Sequence, residues 1–123
     1  MTIQFDGDFA MKTATTLSIV SGAVTVTQVK HIISAETGTT DDLDTITVSA
    51  NIDSTYEGVL LITAASGHTI TLKYGITSAD NLDFTGDKDL TLSDSAWVLL
   101  LYNGTFWKNA GMIAQKVAYT PTN

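Results

Sequence analysis

The sequence predicts an all-β fold, an antiparallel β-sandwich or small β-barrel of about eight strands with extended N- and C-terminal arms. Threonine fills 21 of the 123 positions while proline occurs once, at Pro121. β-Branched threonine suits a pleated, half-buried surface, and the scarcity of proline leaves strand ladders uninterrupted. The run Ala96-Trp97-Val98-Leu99-Leu100-Leu101-Tyr102 leads into Asn103-Gly104 and out through Thr105-Phe106-Trp107-Lys108. Asn-Gly supplies the two positive-φ positions of a type I′ turn, so these runs read as a tight antiparallel hairpin. No segment carries a convincing helical period.

Taken in order, Leu17 to Val20 precedes a Ser21-Gly22 turn, and a long strand follows from Val24 toward Ser34. Its alternation slips, with Val24 and Val26 in one phase and Val29, His31 and Ile33 in the other, so a bulge or break is expected near Gln28. The polar stretch Glu36 to Asp42 reads as a loop, after which Leu43, Ile46 and Val48 re-enter extended structure. A second polar loop spans Ser49 to Tyr56. Gly58 to Ala64 and His68 to Lys73 flank Ala65-Ser66-Gly67, which suits a hairpin with a glycine bulge. Asn81 to Phe84 and Asp89 to Leu92 read as a further pair around Thr85-Gly86-Asp87-Lys88, and the Trp97 hairpin closes the domain. The chain divides into an N-terminal arm over 1–16, a β-domain over 17–109 and a C-terminal segment over 110–123.

Composition limits the partners. All six basic residues are lysine against 13 acidic ones, for a formal net charge of -7. Without arginine there is no guanidinium fork for phosphates or guanine edges, and the net charge repels a polyanion, so nucleic acid is not an expected partner. The absence of cysteine excludes disulfides, a thiol nucleophile and thiolate zinc sites, and fits assembly in a reducing cytoplasm. Asp6 and Asp8 stand where a signal peptide would carry positive charge, and no apolar core follows them. The longest apolar run, Ala96 to Tyr102, is far short of the roughly 18 residues that suggest a membrane span.

Two strands, Val59 to Ile62 and Trp97 to Tyr102, are apolar on both faces. In an antiparallel sheet one face is commonly solvated, so both strands need cover on a second side, from the chain's own loops and termini or from another subunit. Trp97, Leu99 and Leu101 are the expected subunit-interface residues. The termini carry scattered anchors without a period, among them Ile3, Phe5, Phe9 and Met11 at one end and Met112, Ile113, Val117 and Tyr119 at the other. Arms that order on a partner surface have this character, because apolar anchors offset the ordering entropy.

The search for chemistry returns little. His31 and His68 lie in expected strands without an acidic or histidine partner at ligand spacing. Ser66-Gly67-His68 sits in a turn and lacks the G-x-S-x-G elbow. Asp41, Asp42 and Asp44 form one carboxylate cluster and Asp83, Asp87 and Asp89 another, neither with EF-hand spacing. Trp97, Tyr102, Phe106 and Trp107 read as cross-strand pairs before they read as a sugar platform. No enzyme activity, cofactor or metal centre is expected.

The order Thr39-Thr40-Asp41-Asp42-Leu43-Asp44-Thr45-Ile46, Glu57 to Ile62 and His68 to Gly75, followed by Asn81-Leu82-Asp83-Phe84, Asp89-Leu90-Thr91-Leu92 and the Trp97–Asn103-Gly104–Trp107 hairpin, resembles a β-module of tailed-phage virion proteins. Such modules occur in tail fibres, tailspikes and head-surface proteins. The resemblance covers roughly residues 35–108. It is most similar to a small head decoration, or capsid cement, protein, because fibres and spikes usually carry the module within a longer chain. That resemblance implies a non-enzymatic structural protein of the virion, made in the host cytoplasm and placed on the outer head surface. It implies a homotrimer that binds the major capsid protein and stabilises the shell, with Ile3, Phe5 and Phe9 as the expected capsid contacts and no nucleic acid or membrane as partner. The alternative it leaves open is a structural or receptor-binding module of a tail fibre or tailspike.

Overall fold

A computed structural model describes residues 12–49, 57–77 and 79–114. Ten strands follow in chain order: β1 (Thr15–Ser18), β2 (Ala23–Val26), β3 (Lys30–Ser34), β4 (Thr40–Leu43), β5 (Thr45–Val48), β6 (Gly58–Ala64), β7 (Thr69–Leu72), β8 (Leu90–Leu92), β9 (Ala96–Tyr102) and β10 (Trp107–Ala114). A single 3-10 turn at Thr85–Asp87 is the only helical element among the described residues. The expected all-β, sandwich-like fold therefore holds, with two strands beyond the expected eight.

Three sheets share the work, ordered β1-β3-β6-β9-β10, β2-β5 and β4-β7-β8, and none closes into a barrel. Their pairing is mixed where a purely antiparallel fold was expected. β1 runs parallel to β3, β3 to β6, β2 to β5 and β4 to β7, whereas β6–β9, β9–β10 and β7–β8 are antiparallel. The parallel pairs join successive windings of the chain. Thr15 lies beside His31, Ala23 beside Thr45, Thr40 beside Thr69 and Lys30 beside Leu61. The strands on the third winding are then closed by antiparallel partners, β8 on β7 and the β9–β10 hairpin on β6.

This winding accounts for one local expectation, the break near Gln28, and corrects two others. The phase slip near Gln28 is a corner: β2 ends at Val26, β3 starts at Lys30, and they belong to different sheets. The Gln28 amide fixes it, donating to the carbonyls of Thr13 at 2.8 Å and Lys30 at 2.9 Å. β6 and β7 do not form a hairpin across Ala65-Ser66-Gly67 but lie in different sheets. β6 is instead the central strand of five, between β3 and β9. Leu82 does not pair with the strand at Leu90 but bridges Gly75 and Trp107.

The Trp97 hairpin forms as expected, with Tyr102 opposite Trp107, though its turn differs. Gly104 takes φ 96° while Asn103 is not left-handed; the Asn103 side chain instead accepts the N–H groups of Thr105 at 3.0 Å and Phe106 at 2.8 Å. Two successive positive φ values occur at Ser21 (50°) and Gly22 (78°), where Val20 and Ala23 exchange backbone hydrogen bonds. β10 runs on to Ala114, past the expected end of the β-domain at residue 109.

Alternate strand positions point inward to one core of Ile19, Val24, Val26, Ile33, Leu43, Ile46, Leu60, Ile62, Ile70, Leu72, Leu82, Leu92, Val98, Leu100 and Trp107. Trp107 is fully buried and its Nε1–H donates to the Ile46 carbonyl at 3.1 Å. The Asn81 amide completes that edge of β5, accepting from Ile46 N–H at 2.9 Å and donating to Ile46 C=O at 2.7 Å. One side chain thus stands in for a neighbouring strand, which a strand edge bent toward the core needs.

Candidate functional site

The outer face of the five-stranded sheet gathers the expected interface residues. Along β9, Val98 and Leu100 point into the core, so Trp97, Leu99 and Leu101 point outward. On the neighbouring β6 the same alternation buries Leu60 and Ile62 and turns Val59 and Leu61 outward. The register sets Val59 beside Leu101 and Leu61 beside Leu99, so the outward side chains of the two strands share one patch. Leu101 keeps 45% of its surface and Val59 41%, while Leu61, Leu99 and Trp97 are half-buried. Lys30, opposite Leu61 on β3, lays its ammonium over the Trp97 ring, 4.6 Å from the centroid. Thr63, also outward on β6, is covered by the β8–β9 connection, where its hydroxyl donates to the carbonyls of Ser93 and Ala96.

Sequence reasoning named Trp97, Leu99 and Leu101, and they sit together on this face. It did not name Leu61 or Lys30. Leu61 was legible as part of a strand apolar on both faces; Lys30 left no signal, because its place depends on the parallel β3–β6 pairing. Ile3, Phe5 and Phe9 lie outside the described residues.

The groups singled out for chemistry are occupied by structural work. His31 is fully buried. Its Nε2 accepts the N–H groups of Thr27 at 3.1 Å and Gln28 at 3.3 Å, which places the ring proton on Nδ1, facing the Thr15 hydroxyl at 2.9 Å and carbonyl at 3.2 Å. Burial pushes its pKa below the usual histidine value, and the backbone bond to Thr15 partly opposes this. His68 Nδ1 accepts the Ala35 N–H at 3.1 Å. Tyr102 and Trp107 form a tilted cross-strand ring pair with centroids 4.6 Å apart.

The carboxylates are distributed likewise. Asp41 accepts the N–H groups of Glu36 and Asp42, each at 2.8 Å. Asp89 takes the Lys73 ammonium at 2.8 Å and the Tyr74 N–H at 2.9 Å, and its pKa is lowered chiefly by the Lys73 hydrogen bond. Asp83 pairs with Lys108 at 2.6 Å. Asp44 is pushed up by burial, with Asp80 and Asp42 adding. Among the described residues no group of three or more histidine or acidic side chains is placed to hold a metal ion. An open cleft of about 320 Å³ runs over β4 and β7, lined by Thr40, Asp41, Asp42, Thr69 and Thr71.

Fold and surface together define an all-β protein with an apolar patch on the outer face of its five-stranded sheet. No protein-family model, no curated protein and no solved structure matches the chain.

Proposed function

We propose that this protein is a non-enzymatic structural component of a tailed-phage virion, a decoration protein that binds the outer head surface and stabilises the shell. It associates with copies of itself, as a trimer, through the outer face of the five-stranded sheet. The observation that carries the reading is the patch of Leu61, Trp97, Leu99 and Leu101 on that face, in a chain whose net charge of -7 favours solubility as separate copies. Exposed strands of this kind, uncharged and without proline, invite association unless covered. The phage setting rests on the resemblance of residues 35–108 to virion β-modules. Mechanically, a subunit that bridges neighbouring capsid proteins binds the closed shell more tightly than its separated parts, and this linkage stabilises the shell by mass action, summed over many weak sites.

Light scattering on the purified protein tests the self-association. Leu99→Glu with Leu101→Glu places two charges in the patch and lowers the solution mass threefold; an unchanged mass in a folded variant refutes the face as the contact. Gold-labelled antibody against the chain then locates it on virions. Label on heads supports decoration, and label on tails favours the fibre or tailspike reading. That second reading draws on the Thr40–Asp42–Thr71 cleft, whose hydroxyls and carboxylates suit a polyhydroxylated glycan.

A further inference from the structure

The chain holds one asparagine followed by glycine, Asn103-Gly104, at the tip of the β9–β10 hairpin. Both residues are exposed, and a Cβ at Gly104 would meet nothing within 4 Å, so water reaches the peptide between them. The Gly104 N–H has no hydrogen-bond partner among the described residues, and neither has Asn103 Nδ2. Asn103 Oδ1, by contrast, accepts two N–H groups, from Thr105 at 3.0 Å and Phe106 at 2.8 Å.

These are the parts of an intramolecular acyl transfer. The nucleophile is the nitrogen of the next residue, so attack on Asn103 Cγ closes a succinimide ring without a second reactant having to be captured. Glycine leaves that nitrogen uncrowded. As the N–Cγ bond forms, negative charge gathers on Oδ1, where the Thr105 and Phe106 N–H groups already point, as donors do in an oxyanion hole.

The other described asparagines are arranged against this step. Asn81 uses both ends of its amide on Ile46, accepting at 2.9 Å and donating at 2.7 Å. The N–H of the following Leu82 donates to the Gly75 carbonyl at 3.0 Å. Asn109 Oδ1 takes the Thr85 N–H at 2.9 Å, but the next residue is Ala110, whose methyl crowds the attacking nitrogen.

We propose that Asn103 is a site of spontaneous deamidation in the folded protein, with Gly104 as nucleophile and water as co-reactant. Solvent hydroxide takes the Gly104 amide proton, the N–Cγ bond forms, and the Cγ–Nδ2 bond breaks. The leaving nitrogen takes a proton from water, departs as ammonia and regenerates the hydroxide. Water then opens the ring. Breaking the new N–Cγ bond gives aspartate, and breaking the bond from nitrogen to the Asn103 main-chain carbonyl carbon gives isoaspartate. Aspartate keeps an acceptor for Thr105 and Phe106. Isoaspartate runs the main chain through Cβ and lengthens it, which dislocates the turn where Asn103 N–H donates to Phe106 O at 3.1 Å, beside the Tyr102–Trp107 ring pair.

Incubation of the full chain in mildly alkaline buffer, then tryptic digestion and mass spectrometry, reads the sites separately. Cleavage after Lys73, Lys88 and Lys108 leaves Asn81 as the only asparagine of peptide 74–88 and Asn103 as the only one of 89–108. With time 89–108 gains the mass difference between NH2 and OH while 74–88 stays unchanged. Isoaspartate, which direct hydrolysis of the side chain cannot give, is detected by enzymatic methylation of its carboxylate. Conversion in the folded chain proceeds at a rate comparable to that in urea, and Gly104→Ala slows it. Conversion confined to the unfolded chain overturns the inference. So does aspartate without isoaspartate, equal conversion at Asn81 in the folded protein, or an undiminished rate in folded Gly104→Ala.

Discussion

Replacing His31 by glutamine separates two roles that the buried ring combines, filling the corner between β2 and β3 and tying stability to pH. In the native state Nε2 accepts from the N–H groups of Thr27 and Gln28, so protonation there would set a third N–H against two donors. Both bonds would be lost, at roughly 0.5–1.5 kcal/mol net each, and the cation would sit in a site with no exposed surface. The folded pKa is therefore depressed, burial being the main cause. A depressed histidine contributes stability that is present above the unfolded value near 6.5 and lost as pH falls through it, because the unfolded chain binds a proton that the native state refuses.

The slope reaches about 1.4 kcal/mol per pH unit once the unfolded histidine is fully charged. Between pH 7.5 and 5.0 the loss approaches about 2 kcal/mol if His31 stays neutral throughout. Glutamine keeps an acceptor oxygen for the same two N–H groups and does not titrate. Urea unfolding at both pH values should show the wild type losing stability that His31→Gln retains, while losses from other groups appear in both. Equal losses in the two proteins would refute the assignment. So would a ¹H–¹⁵N spectrum showing a proton on Nε2 of His31 at pH 7.5.

Two further perturbations probe the closure of the fold. Asn81→Ala deletes both Asn81 hydrogen bonds to Ile46; the Ile46 carbonyl keeps the Trp107 Nε1–H while its N–H is left unpaired, an expected loss of about 1–3 kcal/mol in unfolding free energy by urea titration, with Asn81→Asp in between because it retains the acceptor. Gly22→Ala and Gly67→Ala share nearly the same φ, 78° and 77°, yet a Cβ on Gly22 would stand 2.5 Å from Asp44 Oδ2 while one on Gly67 meets nothing within 4 Å. Gly67→Ala should cost about 1–2 kcal/mol for the left-handed backbone alone, and Gly22→Ala clearly more, both read from thermal unfolding.

What the sequence made legible was whatever depends on alternation and local turns. Val24 and Val26, His31 and Ile33, Ile70 and Leu72, Val98 and Leu100 all face inward as their spacing requires. Strand partners were not legible where they come from an earlier winding. Thr15 lies sixteen residues before its neighbour His31, but Thr40 lies twenty-nine before Thr69. Windings of unequal length leave no repeat to detect, and a short β–turn–β segment such as Ala65-Ser66-Gly67 reads the same whether its strands pair or turn a corner between sheets. The turn chemistry misled for a related reason. Asn103 was expected to supply a left-handed backbone, and it supplies a side-chain acceptor instead.

The outward apolar residues were legible because burial on one face cannot explain apolar residues on both. For β6 the second face of the strand lies outside the core, and the register with β9 gathers its apolar side chains in one place, Leu61 with Leu99 and Val59 with Leu101.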